Sequence, residues 1–277
     1  MKTIVHLSDL HFGRVDEAVR IGLEAAVRQV APDLVVVSGD LTQRAKVLEF
    51  AEARRFLDRL SFPKIVVPGN HDVPLYDVFR RFLRPLSRYR RIISDDLEPF
   101  YADAEIAVAG INTARSATFK NGRINEAQLA RLTKRFAALA PEMTRIVVVH
   151  HPFAHAATKD ERDIVGRAAL ALDAFSNSRV DIILAGHLHS AQVGASSERY
   201  DIDGYSALLI QAGTATSTRR RGEANSFNVI RIARPHVELD CRTWKEGEGF
   251  VATSRERFEF GGRGWAKAPQ SDRVTLQ

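Results

Sequence analysis

The sequence predicts an α/β fold with parallel strands, and two observations carry that prediction. Short apolar runs at residues 3–7, 33–37 and 64–67 read as buried strands. Between them, residues 18–30 and 47–60 place apolar side chains at helical spacing. Strand, helix and strand in alternation imply parallel strands joined by crossover helices.

Taken in order, the first strand runs straight from the N-terminus into a polar tetrapeptide, and Pro32 ends the helix that follows. The third strand is cut off by Pro68-Gly69. Further strands are expected at 105–111 and 145–149, with a helix over 126–139 between them. A helix over 165–175 precedes a strand at 181–185. After His189 the pattern changes to short strand-like runs joined by turns, at 191–194, 206–211, 227–232, 236–241 and 250–260. No helix interrupts them, which predicts a mostly antiparallel second half.

The chain has 277 residues, 45% of them apolar, enough for a sizeable core. It shows no repeat, low-complexity tract or long linker, so one domain is expected over residues 1–260. Residues 261–277 are poor in apolar side chains and are expected to be loose. No apolar stretch reaches the roughly 18 residues of a membrane span, and the first strand leaves no room for a signal peptide. The single cysteine, Cys241, excludes an intrachain disulfide and fits a reducing compartment. A cytoplasmic protein is the expectation. The net charge of +6 and pI near 9.7 favour anionic partners without choosing among nucleotides, nucleic acids and acidic lipid headgroups.

Residues that carry chemistry collect just past the strands. Asp9 and His11 lie in Ser-Asp-Leu-His after the first strand. Gly39-Asp40, Gly69-Asn70-His71-Asp72, His150-His151 and Gly186-His187-Leu188-His189 follow in order. Ligands of α/β sheets bind beyond the carboxyl ends of the strands, where these loops converge. A lone Asp-x-His or Gly-Asp is a common turn, but five such groups after five strands are not explained as surface polarity. Asp, Asn and His side chains gathered in this way form the ligand set of a two-metal hydrolytic site acting on phosphate esters. Mixed imidazole and carboxylate donors suit Mn, Fe, Zn or Co better than Mg or Ca.

On these motifs the chain resembles the calcineurin-like metallophosphoesterase superfamily, from Met1 to His189 by motif and more loosely to about Arg242. Ser-Asp-Leu-His and the Gly-Asp-Leu-Thr at 39–42 look closest to the small class III cyclic-nucleotide phosphodiesterases. The resemblance implies a four-layer αββα sandwich, two packed mixed β-sheets flanked by helices. It implies that Asp9, His11 and His189 hold one metal, that Asn70, His150 and His187 hold the other, and that Asp40 bridges them. It further implies that His71 protonates the leaving oxygen, with Asp72 orienting its imidazole. A metal-bound hydroxide would then attack phosphorus in line, with no covalent phosphoenzyme.

Adjacent residues at a strand end point to opposite sides, so only one of His150 and His151 is expected to face the metals, and the family pattern selects His150. Residues 73–104 are a candidate cap. Within them, Phe79, Phe82, Leu83 and Leu86 recur at helical spacing among Arg80, Arg81, Arg84, Arg88, Arg90 and Arg91. That stretch is a solvated basic helix, a lid supplying cations to an anionic substrate, or a lipid-facing element. Asn112 and Arg219, the latter in Arg219-Arg220-Arg221, are candidate substrate contacts. His6, His155 and His236 have no partner motif and read as structural.

The substrate expected is a small phosphodiester, a cyclic nucleotide or similar small nucleotide. Other readings are a UDP-2,3-diacylglucosamine pyrophosphate hydrolase, a nuclease acting on nucleic acid, and a non-catalytic scaffold of the same fold. Gly-Asp-Leu-Thr departs from the Gly-Asp-Leu-Phe of the first alternative, and the intact histidines speak against the last. A homodimer is expected by family analogy only.

Overall fold

The alternation read from the sequence is realised as two mixed sheets packed face to face. The computed structural model describes residues 1–116, 121–154, 164–218, 223–262 and 264–268. Lys2–Leu7 (β1), Leu34–Ser38 (β2) and Lys64–Val67 (β3) run parallel, with Glu17–Val30 (α1) and Val47–Arg59 (α2) as crossovers. Asp16 caps α1 by accepting from the backbone of Ala18 and Val19. Two short helices follow β3, Val78–Leu83 (α3) and Ser87–Ile92 (α4).

The second sheet begins with Phe100–Ala102 (β4) and Ile106–Gly110 (β5). After Glu126–Ala137 (α5) come Thr144–Val148 (β6), Ala168–Asn177 (α6), Ile182–Ala185 (β7), Gln192–Ala195 (β8) and Leu208–Gln211 (β9). Its order is β4-β5-β6-β7-β9-β8, with β5, β6, β7 and β9 parallel. The chain then returns to the first sheet through Ser226–Ala233 (β10), His236–Lys245 (β11), Gly249–Gly261 (β12) and Gly264–Lys267 (β13). These four extend β1 in antiparallel order, giving β13-β12-β11-β10-β1-β2-β3.

Period-two alternation explains why the central strands are apolar on both faces. Val5, Leu7, Val35 and Val37 face α1 and α2, while Ile4, Leu34 and Val36 face the other sheet. Ile146, Val148, Ile182 and Leu184 meet them from the second sheet, and Val147 and Ile183 turn outward to α5 and α6. The result is four layers, helices, sheet, sheet and helices, as the resemblance implied.

The strands after His189 are mostly antiparallel, as expected, and they divide between the sheets: β8 and β9 join the second, where β9 runs parallel to β7, and β10–β13 join the first. Two expectations are corrected. The run beginning at residue 261 is not loose up to Ala268. Gly264–Lys267 pairs with β12, Trp265 is buried, and its indole donates to Asp181 at 3.1 Å. The Arg-rich segment is not one amphipathic helix with an apolar inner face. It breaks at Arg84-Pro85, leaving Phe79, Phe82 and Leu83 79%, 58% and 63% exposed while Arg81 is buried and donates to the Pro74 carbonyl. Among the described residues, no helix is long and apolar enough to cross a membrane.

Candidate metal centre

The carboxyl ends of β1, β2, β3, β6 and β7 open on one edge, and the polar residues just past them converge there. Their backbones are forced into place. Asp9, His11, Asp40, His187 and His189 all have positive φ, between 50° and 77°. Such a conformation is uncommon outside glycine and costs on the order of 1–3 kcal/mol per residue. Two glycines make room. A Cβ on Gly69 would collide with the Asp40 carboxylate, and one on Gly186 with the Ser8 hydroxyl.

The donor atoms fall into two groups. In the first, His11 Nε2 lies 3.5 Å from Asp9 Oδ1 and 3.8 Å from Asp40 Oδ2, and His189 Nε2 lies 3.6 Å from Asp9 Oδ1. The His11 and His189 rings stack with centroids 5.1 Å apart. In the second, His150 Nε2 lies 3.0 Å from Asn70 Oδ1, 3.4 Å from Asp40 Oδ1 and 3.3 Å from His187 Nδ1. Asp40 therefore turns one oxygen to each group.

Surrounding hydrogen bonds fix the orientations. Asp9 Oδ2 accepts from the Ser8 hydroxyl and the His187 amide, at 2.6 and 3.0 Å. His150 Nδ1 donates to the Ser38 carbonyl at 2.8 Å, which leaves its Nε2 lone pair facing inward. His189 Nδ1 is held 2.5 Å from the Thr214 hydroxyl. Imidazole ligands tethered through their other nitrogen are typical of metal sites.

Two features fit cations. Asp9 Oδ1 is buried yet accepts no hydrogen bond among the described residues. The electrostatics point the same way. Against the effect of burial, His189 and His11 hold the Asp9 carboxyl below its usual range, and His150 and His71 hold Asp40 well below it. Burial opposes protonation of His150 too, but the Asp40 and Asp9 carboxylates raise it to about 9, while burial and then His150 push His187 down to about 3. Two buried carboxylates, Asp9 and Asp40, thus stand among imidazoles, an arrangement that a bound cation would balance.

His71 sits beside the first group, its ring 4.9 Å from that of His11. Its Nδ1 is 2.9 Å from the Gln43 carbonyl and donates to it. This corrects the role expected of Asp72. That carboxylate accepts from the Leu41, Thr42 and Gly69 amides and from the Thr42 hydroxyl, at 2.9–3.2 Å. Four donors occupy its lone pairs, so it staples the loop after β2 to the loop after β3 and does not orient the imidazole. Burial and the neighbouring Asp40 push its carboxyl up to about 6.

The expected divergence of His150 and His151 is also not observed. Both lie past the end of β6, so strand alternation no longer applies, and the His151 ring stands 4.9 Å from His150 and 4.7 Å from His187. Its Nδ1 is 2.7 Å from the Thr113 hydroxyl. Asn112 uses its side-chain oxygen to accept from the Ala114 amide and lines a groove that none of the donor residues lines. Arg219, with Arg220, Arg221 and His155, lies outside the described residues. Gln43 and Thr214 were not singled out from the sequence, although Thr214 follows β9 much as the ligands follow their strands.

The calcineurin-like phosphoesterase family model matches residues 2–191. Glycerophosphodiester phosphodiesterase GpdQ of Enterobacter lignolyticus is 36% identical over 96 residues, 30% of this chain and 33% of that protein. The cAMP/cGMP dual specificity phosphodiesterase MT0825 of Mycobacterium tuberculosis is 28% identical over 267 residues, 83% of this chain and 75% of that protein. Among solved structures, the purple acid phosphatase PPD1 of yellow lupin superposes with a TM-score of 0.71 at 10% identity, over 92% of this chain and 53% of that one. A dimetal phosphatase from Danio rerio gives 0.67 at 14% identity, over 94% and 99%. The chain thus spans a third of the first of these relatives and about half of the lupin enzyme, and the structural likenesses establish a shared fold.

Proposed function

Because the chain belongs to the calcineurin-like phosphoesterase family, and is on that account a metal-dependent phosphoester hydrolase, we propose that it hydrolyses small nucleotide-type phosphodiesters at the convergent strand ends. In this reading Asp9, His11 and His189 would hold one cation and Asn70, His150 and His187 the other, with Asp40 shared between the two groups. The observation that carries it is the division of the Asp40 carboxylate, with Oδ2 toward His11 and Oδ1 toward His150. The imidazole-rich donors suit Mn, Fe, Zn or Co. Two cations held there supply Lewis acidity that neutralises phosphate charge and activates water.

The residues around the centre divide the remaining work. Asp40 Oδ1 accepts from the His71 amide at 2.8 Å, which ties the bridge to the loop that carries the acid. His71 Nδ1 donates to the Gln43 carbonyl, so the proton it would pass to the departing alcohol oxygen is the one carried on Nε2 of its imidazolium form. His151, its Nδ1 2.7 Å from the Thr113 hydroxyl, stands beside His150 and His187 with a ring nitrogen within 4.8 Å of theirs, and helps to hold those rings in place.

A diester substrate is favoured by relatives named for diester hydrolysis, one acting on glycerophosphodiesters and one on cAMP and cGMP. The test is a rate comparison on protein loaded in turn with Mn, Fe, Zn and Co. The substrates are 3′,5′-cyclic AMP, 2′,3′-cyclic AMP, a glycerophosphodiester and p-nitrophenyl phosphate. Nucleotide diesters turned over well above the monoester are expected. Preference for the monoester, or silence with every metal, overturns the reading.

A further inference from the structure

A groove of about 550 Å³ lies between the α3–α4 turn and the loop after β5. Its apolar wall includes Leu83, Leu86 and Leu97, its rim carries Asn112, and Arg84, Arg90 and Arg115 reach it from two separate segments. Among the described residues, no acidic side chain lines it. Its volume is in the range of pockets that take drug-sized ligands.

The arginines of this region divide into two kinds. Arg80 pairs with Asp77, Arg88 donates to the Ala45 carbonyl and approaches the same carboxylate, and Arg81 is buried against the Pro74 carbonyl. Those three hold the segment together. Arg84, Arg90 and Arg115 have no side-chain hydrogen bond or ion pair among the described residues, and all three are exposed. Three uncompensated guanidiniums around an apolar-walled groove make a site for an anion joined to a ring or other apolar group. Each guanidinium offers a planar pair of donors that matches phosphate oxygens.

The groove adjoins the metal centre. Val67 at the end of β3 packs on Gly110 at the end of β5, so the loops bearing Asn70 and Asn112 leave the two sheets side by side. Thr113, next to Asn112, holds His151, whose ring is 4.7 Å from that of His187.

We infer that this groove is a subsite for a second phosphoryl group of the substrate, carried on the far side of a nucleoside from the scissile diester. The inference rests on the phosphodiesterase reading and narrows it, from cyclic mononucleotides toward nucleotide diesters with an additional terminal phosphate. Leu83, Leu86 and Leu97 supply the surface for the sugar or base between the two phosphates, and the arginines fix the second phosphate.

Two chromogenic esters test it with the metal-loaded full chain. They are thymidine 5′-(p-nitrophenyl phosphate) and the same ester with a 3′-phosphate. The wild type is expected to favour the 3′-phosphorylated ester in kcat/KM by about tenfold or more, chiefly through KM. Arg84→Gln, Arg90→Gln and Arg115→Gln, made singly and together, should lower that ratio, and Arg115→Lys should retain part of it. Arg257→Gln, on β12, should leave the ratio as it is. Equal kcat/KM for the two esters in the wild type overturns the subsite while the phosphodiesterase reading stands. A preference untouched by every arginine change places the second phosphate elsewhere and overturns it too. Hydrolysis of neither ester with any metal overturns both readings together.

Discussion

The Nδ1 atom of His71 lies 2.9 Å from the carbonyl oxygen of Gln43, so a main-chain atom of the loop after β2 sets the tautomer of a side chain in the loop after β3. A carbonyl can only accept, which assigns the proton on Nδ1. His71→Ala should therefore lower turnover by about 10²–10⁴-fold, with metal content by elemental analysis nearly unchanged. Turnover close to wild type would remove His71 from the chemistry.

Asp72 should behave differently from its neighbour. Asp72→Ala strands three backbone amides in two loops, a loss of about 3 kcal/mol if each orphaned group costs on the order of 1 kcal/mol. Chemical denaturation should show that loss, and Asp72→Asn should recover only part of it because an amide nitrogen then faces donors. Full stability with a collapse of kcat would instead return Asp72 to the role of His71's orienting partner.

The divided carboxylate of Asp40 makes a prediction about stoichiometry. Asp9→Asn should empty the His11–His189 group and leave about one metal per chain, whereas Asp40→Ala should lower occupancy of both groups. Elemental analysis after extensive dialysis distinguishes the two. Identical metal content in both variants would contradict a bridging Asp40.

His6 gives a pH dependence that can be isolated. Its ring is buried with Nε2 2.9 Å from the Ser38 hydroxyl, and burial lowers its pKa to about 3. The unfolded chain takes up this proton near pH 6.5, while the folded chain refuses it until about pH 3. The stability is fully present above pH 6.5 and falls by about 1.4 kcal/mol per unit as the medium is acidified through that window. Between pH 7.5 and 5.0 the wild type should therefore lose about 2 kcal/mol more than His6→Gln. Equal losses would show that the ring is protonated in the native state.

The residues at the strand ends were legible because each follows an apolar run whose termination the sequence marks with glycine or a polar cluster, as at Gly39-Asp40 and Gly69-Asn70. What decided the rest is tertiary. The Asp72 carboxylate finds its donors in Leu41 and Thr42, some thirty positions earlier, and nothing near Asp72 announces them. Phe79 and Phe82 have the spacing of a buried helix face, yet Pro85 ends α3 after six residues and the short helix leaves them outside. Trp265 looked like part of a loose tail because its run is polar; one indole bond to Asp181 and pairing with β12 hold it in place.

Five of the seven donor residues proposed here occupy a left-handed backbone conformation that glycine would adopt without cost. Selection for thermal stability alone would therefore find relief at these positions, His11 among them, by discarding the side chain that gives the site its chemistry. The rim of the centre is a place where a hardier protein and a working one are different sequences, so stabilising libraries for this chain should hold those five positions fixed.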